Sequence, residues 1–167
     1  MGVLDVDRAV EQIEDFLADR LAASGADGYV VGVSGGLDSA VAATLAVDAV
    51  GAEAVTAMVL PGTPSDPSNL DDARELGSDL GVDLVDVDIS PVVEAISGRV
   101  PFDTGTLAVG NLRARTRMVL LYLEANARDH LVIGTTNRSE WLLGYFTKYG
   151  DGAADLRPLA GVYKSEM

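Results

Sequence analysis

Tyr29-Val30-Val31-Gly32-Val33-Ser34-Gly35-Gly36-Leu37-Asp38-Ser39, followed by the alanine-rich Ala40 to Ala49, is the stretch whose reading decides the fold. Tyr29 to Val33 is a short β-branched run, the Ser-Gly-Gly triplet breaks it, and Ala40 to Ala49 suits a helix, so the segment predicts strand, turn, helix. The unit recurs downstream. Ala54 to Leu60 reads as a strand, Ser68 to Leu80 as a helix introduced by Pro61 to Pro67, Val82 to Ile89 as a strand and Pro91 to Ile96 as a short helix. Leu107 to Ala127 follows as a longer helix, His130 to Gly134 as a fourth strand, and Asn137 to Leu143 as a helix capped by Asn137 or Ser139. Upstream, Val6, Val10, Ile13, Phe16 and Leu17 form one stripe of an amphipathic helix over Val3 to Leu21. Alternating strands and helices predict a single α/β domain over 1–167, a doubly wound parallel sheet with helices on both faces.

Two segments lack a period. Ser97 to Thr106, with Gly98, Pro101 and Gly105, reads as a mobile loop, and the stretch beyond Gly144 as an ordered loop region that carries a site. The chain stops at Met167 without a terminal helix or cap, so the expectation is a C-terminally incomplete protein.

Composition narrows the chemistry. The 167 residues include 26 acidic and 12 basic side chains, a formal charge of -14, and 48% are hydrophobic. Ample apolar content excludes disorder, and no apolar run reaches the roughly 18 residues of a membrane span. No secretory signal opens the chain, which implies a cytoplasmic address. The acidic surface repels phosphate backbones and anionic lipid, so nucleic acid and membrane are excluded as partners. Cysteine is absent, which removes disulfides, thiolate metal sites and catalytic thiols. Lysine occurs only at 148 and 164. An Asp-rich, Lys-poor surface suits a saline, halophilic cytoplasm, and it marks the two lysines as kept for chemistry.

Gly32 to Ser39 lies just past a strand end and opens a helix, where open parallel sheets bind ligands. Gly35 and Gly36 let the backbone approach an anion, Ser34 and Ser39 add hydroxyls, and the helix start offers free N–H groups. Neither G-K-[ST] nor G-x-G-x-x-G is present, so this is neither a Walker loop nor a dinucleotide fingerprint. Asp38 implies Mg²⁺, because a carboxylate beside a phosphate repels it unless a cation lies between them. On the helix from Leu107, Arg113 and Arg117 share a face, whereas Arg115 is rotated by about 200° to lie among Leu112, Val119 and Tyr122. A guanidinium on that apolar side needs an anion, while Arg113 and Arg117 read as salt-bridge or subunit-contact residues. Thr135 and Glu140 flank a helix start on the same rim as the phosphate loop. Lys148, Asp151 and Asp155 sit in a glycine-broken loop. His130 reads as structural, Trp141, Tyr145 and Phe146 as core or subunit contact, and Asp83, Asp86 and Asp88 as solvated, or, for one near the strand end, as a nucleotide contact.

Ser-Gly-Gly-x-Asp-Ser after a strand resembles the pyrophosphate loop of the N-type ATP pyrophosphatases, which release pyrophosphate from ATP while adenylylating a substrate. GNLRARTRM at 110–118 and LVIGTTNRSEWLLGYFTKYGDGAADLRPLAGVYK at 131–164 are together similar to the NAD synthetase branch of that superfamily, with motif order and spacing intact. The resemblance implies an adenine nucleotide alpha hydrolase-like fold. It implies that Gly32, Val33, Ser34, Gly35, Gly36, Leu37, Asp38, Ser39, Thr135 and Lys164 bind ATP, and that Asp38 and Glu140 hold Mg²⁺. It further implies that Arg115, Lys148 and Asp155 bind deamido-NAD, that Asp38 and Lys164 act in catalysis, with Asp151 a loop contributor, and that the protein is a homodimer. The missing cysteine makes ammonia the nitrogen source. Another amide- or thio-forming ATP pyrophosphatase, such as a GMP synthetase-like enzyme, and a non-catalytic nucleotide-binding module are the rival readings.

Overall fold

A computed structural model describes residues 5–63 and 65–167. Four parallel strands form one sheet in the order β3-β2-β1-β4: β1 is Gly28–Gly32, β2 Val55–Val59, β3 Asp83–Asp86 and β4 His130–Ile133. Period-two alternation buries both faces of β1. Tyr29 and Val31 join Leu17, Ala42, Ala46 and Ala73 on one side, and Val30 joins Met58, Ile89, Ala125 and Val132 on the other. The first side is covered by α1 (Val6–Ser24), α2 (Leu37–Val50) and α3 (Pro67–Leu80), the second by α4 (Ser90–Ser97) and α5 (Gly105–Arg128). A short α6, Arg138–Leu143, follows β4. The architecture is the doubly wound α/β sheet that the alternation predicts.

Local chemistry sets the ends of these elements. Asp5 accepts a hydrogen bond from the Arg8 N–H to cap α1, and Gly25 ends the helix in the left-handed region. The Tyr29 hydroxyl donates to the Leu17 carbonyl at 2.6 Å and ties α1 to the first strand. Residues 3 and 4 of the expected first helix lie outside the described residues. β3 is shorter than the reading of Val82 to Ile89. Past Asp86 the chain keeps single bonds, Val87 N–H to Val59 and Ile89 N–H to Pro61, while Asp88 accepts from the Ser90 N–H and turns the backbone into α4. Asp86 and Asp83 are not merely solvated, since they pair at the surface with Arg74 and Arg128.

The aperiodic C-terminal stretch extends the sheet edge. Gly134 N–H donates to the Leu156 carbonyl, and Leu156 bridges Ile133 in parallel. A 3-10 turn at Lys164–Glu166 then docks on α6, with the Arg138 N–H bonded to the Val162 carbonyl and the Lys164 N–H to the Ser139 hydroxyl. No helix among the described residues is long and apolar enough to cross a membrane.

Candidate functional site

The turn between β1 and α2 is held open by its own side chains. The Ser39 hydroxyl donates to the Gly36 carbonyl at 2.9 Å and accepts from the Ser34 N–H at 3.2 Å, and the two hydroxyls lie 3.2 Å apart. Gly35 has φ +78°, and a Cβ there would lie 2.1 Å from the Asn69 carbonyl oxygen, so only glycine fits. Gly36 precedes α2 without a side-chain cap. The first N–H groups of a 14-residue helix are therefore left facing outward at its positive end.

Asp38, in the first turn of α2, has both carboxylate oxygens engaged. Oδ1 accepts from the Asn137 side-chain amide at 2.9 Å, and Oδ2 is ion-paired with the Lys164 ammonium. Asn137 is fully buried and also caps α6. Its Oδ1 accepts from the Glu140 N–H at 3.0 Å, and its own N–H donates to Glu140 Oε2 at 3.2 Å. One residue, through its side-chain amide and its main-chain N–H, thus joins two carboxylates that stand 102 positions apart. Of the two caps considered from sequence, Asn137 serves, and Ser139 instead receives Lys164. Asn137 is a site residue that its sequence reading as a mere cap misses.

Among the described residues no cluster of three or more His, Asp or Glu side chains could cage a metal ion. Asp38 and Glu140 nonetheless suit Mg²⁺, a hard cation that protein sites hold with one or two carboxylates and that takes its remaining oxygens from phosphate and water. Both are anchored by Asn137 beside the glycine turn.

Beside the loop opens a cavity of about 480 Å³. Met58, Leu60, Leu70, Met118, Leu121 and Ile133 give it apolar walls, and Ser34, Asn69, Thr135 and Asp151 add polar ones, a lining suited to a flat heterocycle with polar substituents. Of the sequence-predicted residues, Gly32, Val33, Ser34, Thr135 and Asp151 line it. Asp151 is fixed by accepting from the Thr147 N–H at 2.9 Å and, through its carbonyl, from Thr136.

Arg115, Lys148 and Asp155 do not line this cavity. Arg115 and Lys148 are exposed and linked, Arg115 Nε donating to the Lys148 carbonyl at 3.2 Å. The Lys148 ammonium lies 5.0 Å from the centre of the Tyr149 ring. Asp155 accepts from the Val132 N–H at 2.8 Å and from the Tyr122 hydroxyl, which satisfies the edge of β4. Of the residues expected around Arg115, Leu112 and Tyr122 pack against the core, but Val119 and Arg115 itself are exposed. The stripe carrying Leu107, Arg115, Val119 and Leu123 is the outer face of α5, with the three apolar residues 80%, 57% and 62% exposed, so Arg115 is not in an apolar interior.

Arg117, unlike Arg115, is half-buried. Its Nε donates to the Leu60 carbonyl at 2.9 Å, and the side chain lines the cavity. Burial, reinforced by neighbouring Arg113, holds its pKa below the usual arginine value, with Asp151 acting in the opposite sense. Neither Arg113 nor Arg117 forms an ion pair among the described residues, contrary to the salt-bridge reading. The signal available in the sequence was the trio Ala114, Leu121 and Ala125, which fall within about 80° of Arg117 around the helix and mark the packed side.

Other expectations fall on aromatic residues. Trp141 stacks on Phe146 at 5.1 Å, with the Arg157 guanidinium 5.0 Å from the indole centre, and Trp141, Leu142, Leu143 and Tyr145 are exposed rather than core. The lone His130 has a buried Nδ1 without a partner in the described residues.

The sequence profile of the NAD synthase family matches residues 9–167. The NH3-dependent NAD+ synthetase of Thermococcus kodakarensis is 45% identical over 167 residues, covering all of this chain and 65% of that protein. This chain spans less than two thirds of the length of that and the next curated relatives. Among solved structures, the NH3-dependent NAD synthetase of Campylobacter jejuni superposes with a TM-score of 0.93 at 39% identity, over 98% of this chain and 70% of that one. The NMN synthetase of Francisella tularensis gives the same score and identity over 98% and 68%.

Proposed function

This chain belongs to the NAD synthase family, and from that premise we propose that it carries the ATP-activating site of an ammonia-dependent NAD synthetase. ATP and deamido-NAD are the substrates with ammonia, and NAD, AMP and pyrophosphate the products. The carrying observation is the convergence of Asp38, Asn137, Glu140 and Lys164 at the mouth of the glycine turn.

In this reading the nicotinate carboxylate of deamido-NAD attacks the α-phosphorus of ATP and the bond to the β-phosphate breaks. The leaving diphosphate is received by the N–H groups of Gly35 to Ser39 and the hydroxyls of Ser34 and Ser39. Asp38 and Glu140 would hold Mg²⁺, which when bound supplies charge neutralisation to the diphosphate. Lys164 leaves Asp38 to contact ATP, placing its ammonium where charge develops. Ammonia then attacks the acyl carbon, AMP departs with the mixed-anhydride oxygen, and nitrogen loses a proton. No protein nucleophile is needed, so catalysis rests on positioning. Thr135 and the apolar walls would seat the adenosine. Arg115, Lys148 and Asp155 would bind deamido-NAD, with Asp151 shaping the loop between them.

The exposed apolar stripe of α5, with Leu142, Leu143 and Tyr145, supports a homodimer that brings Arg115 against a second subunit. The Asp-rich, Lys-poor surface supports work in a saline cytoplasm. Likeness to the Francisella protein supports a second reading, in which the acceptor is the mononucleotide.

An assay of AMP and pyrophosphate release with ammonium or glutamine, and with deamido-NAD or nicotinic acid mononucleotide, tests these readings. Activity with ammonium and deamido-NAD, lost in Asp38→Asn and Glu140→Gln, is expected. Turnover on glutamine alone, or unchanged turnover and metal dependence in both variants, rejects the proposal.

A further inference from the structure

We propose that Arg117 is a substrate-binding residue of this site, taking an oxyanion carried by one of the two nucleotide substrates; the inference deepens the synthetase reading and rests on it. The guanidinium has five donors in a planar fork. Nε is committed to the Leu60 carbonyl, which aims the rest of the fork along the loop leaving β2. A Cβ on Gly62 would lie 3.7 Å from one Nη, which places that nitrogen beside the loop backbone. No carboxylate among the described residues pairs with the fork. Asp151 shares the cavity, but its carboxylate accepts from the Thr147 N–H.

Charge makes this arrangement informative. The chain has 26 acidic residues against 12 basic ones, yet none of the described ones forms an ion pair with half-buried Arg117, and Asp151 acts on it only from beyond contact. Arg113, one turn away on the same face, lines an adjoining small cavity with Gly62, Thr63, Ser90 and Glu94, and sets a like charge beside Arg117. Two cations brought together out of bulk water raise the free energy of the empty site and lower it when an anion arrives. Unpaired arginines on the surface have water instead, and this one has a cavity.

The two sources of the anion are the α-phosphate of the adenine nucleotide, which AMP retains, and the nicotinate carboxylate, and both would meet the fork as charge-assisted hydrogen bonds. Equilibrium binding by calorimetry, on the chain and on Arg117→Gln and Arg117→Lys, separates them with two matched pairs of probes. AMP and adenosine differ by one phosphate, and deamido-NAD and NAD differ by a carboxylate against an amide. If the phosphate is the partner, Arg117→Gln weakens AMP about tenfold or more and leaves adenosine unchanged. If the carboxylate is the partner, deamido-NAD weakens and NAD does not. Arg117→Lys retains part of the affinity for the charged member alone. Equal losses within both pairs would mean that Arg117 only shapes the loop through Leu60, and that result, like no change at all, overturns the proposal. A parent chain that binds none of the four overturns the synthetase reading along with it, whereas a parent that binds and a variant that binds equally well overturns only the role of Arg117.

Discussion

Exchanging Asn137 for aspartate or alanine separates the two tasks that this buried amide performs. It donates to Asp38 at 2.9 Å, accepts from the Glu140 N–H at 3.0 Å and donates its own N–H to Glu140 at 3.2 Å. An N-cap side chain contributes about 1 kcal/mol. A hydrogen bond to a charged acceptor contributes about 1.5–3 kcal/mol. Asn137→Ala loses both, so a destabilisation of about 2.5–4 kcal/mol is expected, a large share of the roughly 5–15 kcal/mol of a typical domain. Asn137→Asp keeps the cap, because aspartate accepts from the Glu140 N–H as well as asparagine does. It loses the donor to Asp38 and sets two carboxylates against each other, so about 1.5–3 kcal/mol is lost through that arm alone. Adding Asp38→Asn to Asn137→Asp exchanges the amide and the carboxylate and restores the bond in the reverse sense. The double variant should recover most of the loss, while binding of Mg²⁺ with ATP stays weak because the charge has moved off α2. Urea unfolding followed by Trp141 fluorescence measures the first quantity and calorimetry the second. An Asn137→Asp chain within about 0.5 kcal/mol of the parent, or a double variant no more stable than the single one, would refute the argument that Asn137 couples Asp38 to α6.

Gly35→Ala should weaken ATP binding more than tenfold, because its Cβ meets the Asn69 carbonyl and the left-handed backbone costs a further ~1–2 kcal/mol; an unchanged dissociation constant would contradict the cradle. Lys164→Ala removes the counter-ion of Asp38. The pair is 49% and 20% exposed, so its worth is discounted to ~0.2–1 kcal/mol, and Mn²⁺ affinity without nucleotide, read by electron paramagnetic resonance, should rise up to about fivefold. Burial pushes the Tyr29 hydroxyl up to about 12, above its ordinary value of 10.0. Its contribution to stability is therefore fully present below pH 10.0 and is lost as pH rises through about 12, and Tyr29→Phe should flatten that part of the alkaline unfolding curve.

The order of strands and helices and the anion loop were legible because they rest on local rules, period-two runs, period-3.6 stripes and glycines at a turn. The sides of α5 were not. Arg115 and Arg117 lie about 160° apart around the helix, and in this chain Val119, beside Arg115, is 57% exposed, while Leu121 and Ala125, beside Arg117, pack against the sheet. Periodicity alone puts Arg115 inward and Arg117 outward, and the packing reverses them. β3 ends early because the Asp88 side chain captures the Ser90 N–H, a competition that the hydrophobic run Val82 to Ile89 does not record. Asn137 reads as an ordinary helix cap in one dimension. Its second bond reaches 99 residues back, and no local pattern encodes a partner at that distance.

The ion pair between Lys164 and Asp38 spans 126 positions. A ribosome releases the glycine turn and its acidic side chain well before the lysine exists, so Asp38 in the first turn of α2 stays without this counter-ion while the intervening chain is made. Docking of the 3-10 turn against α6 is then the event that quenches the charge, and ordering of the nucleotide pocket's rim has to wait for a segment made long after the turn itself.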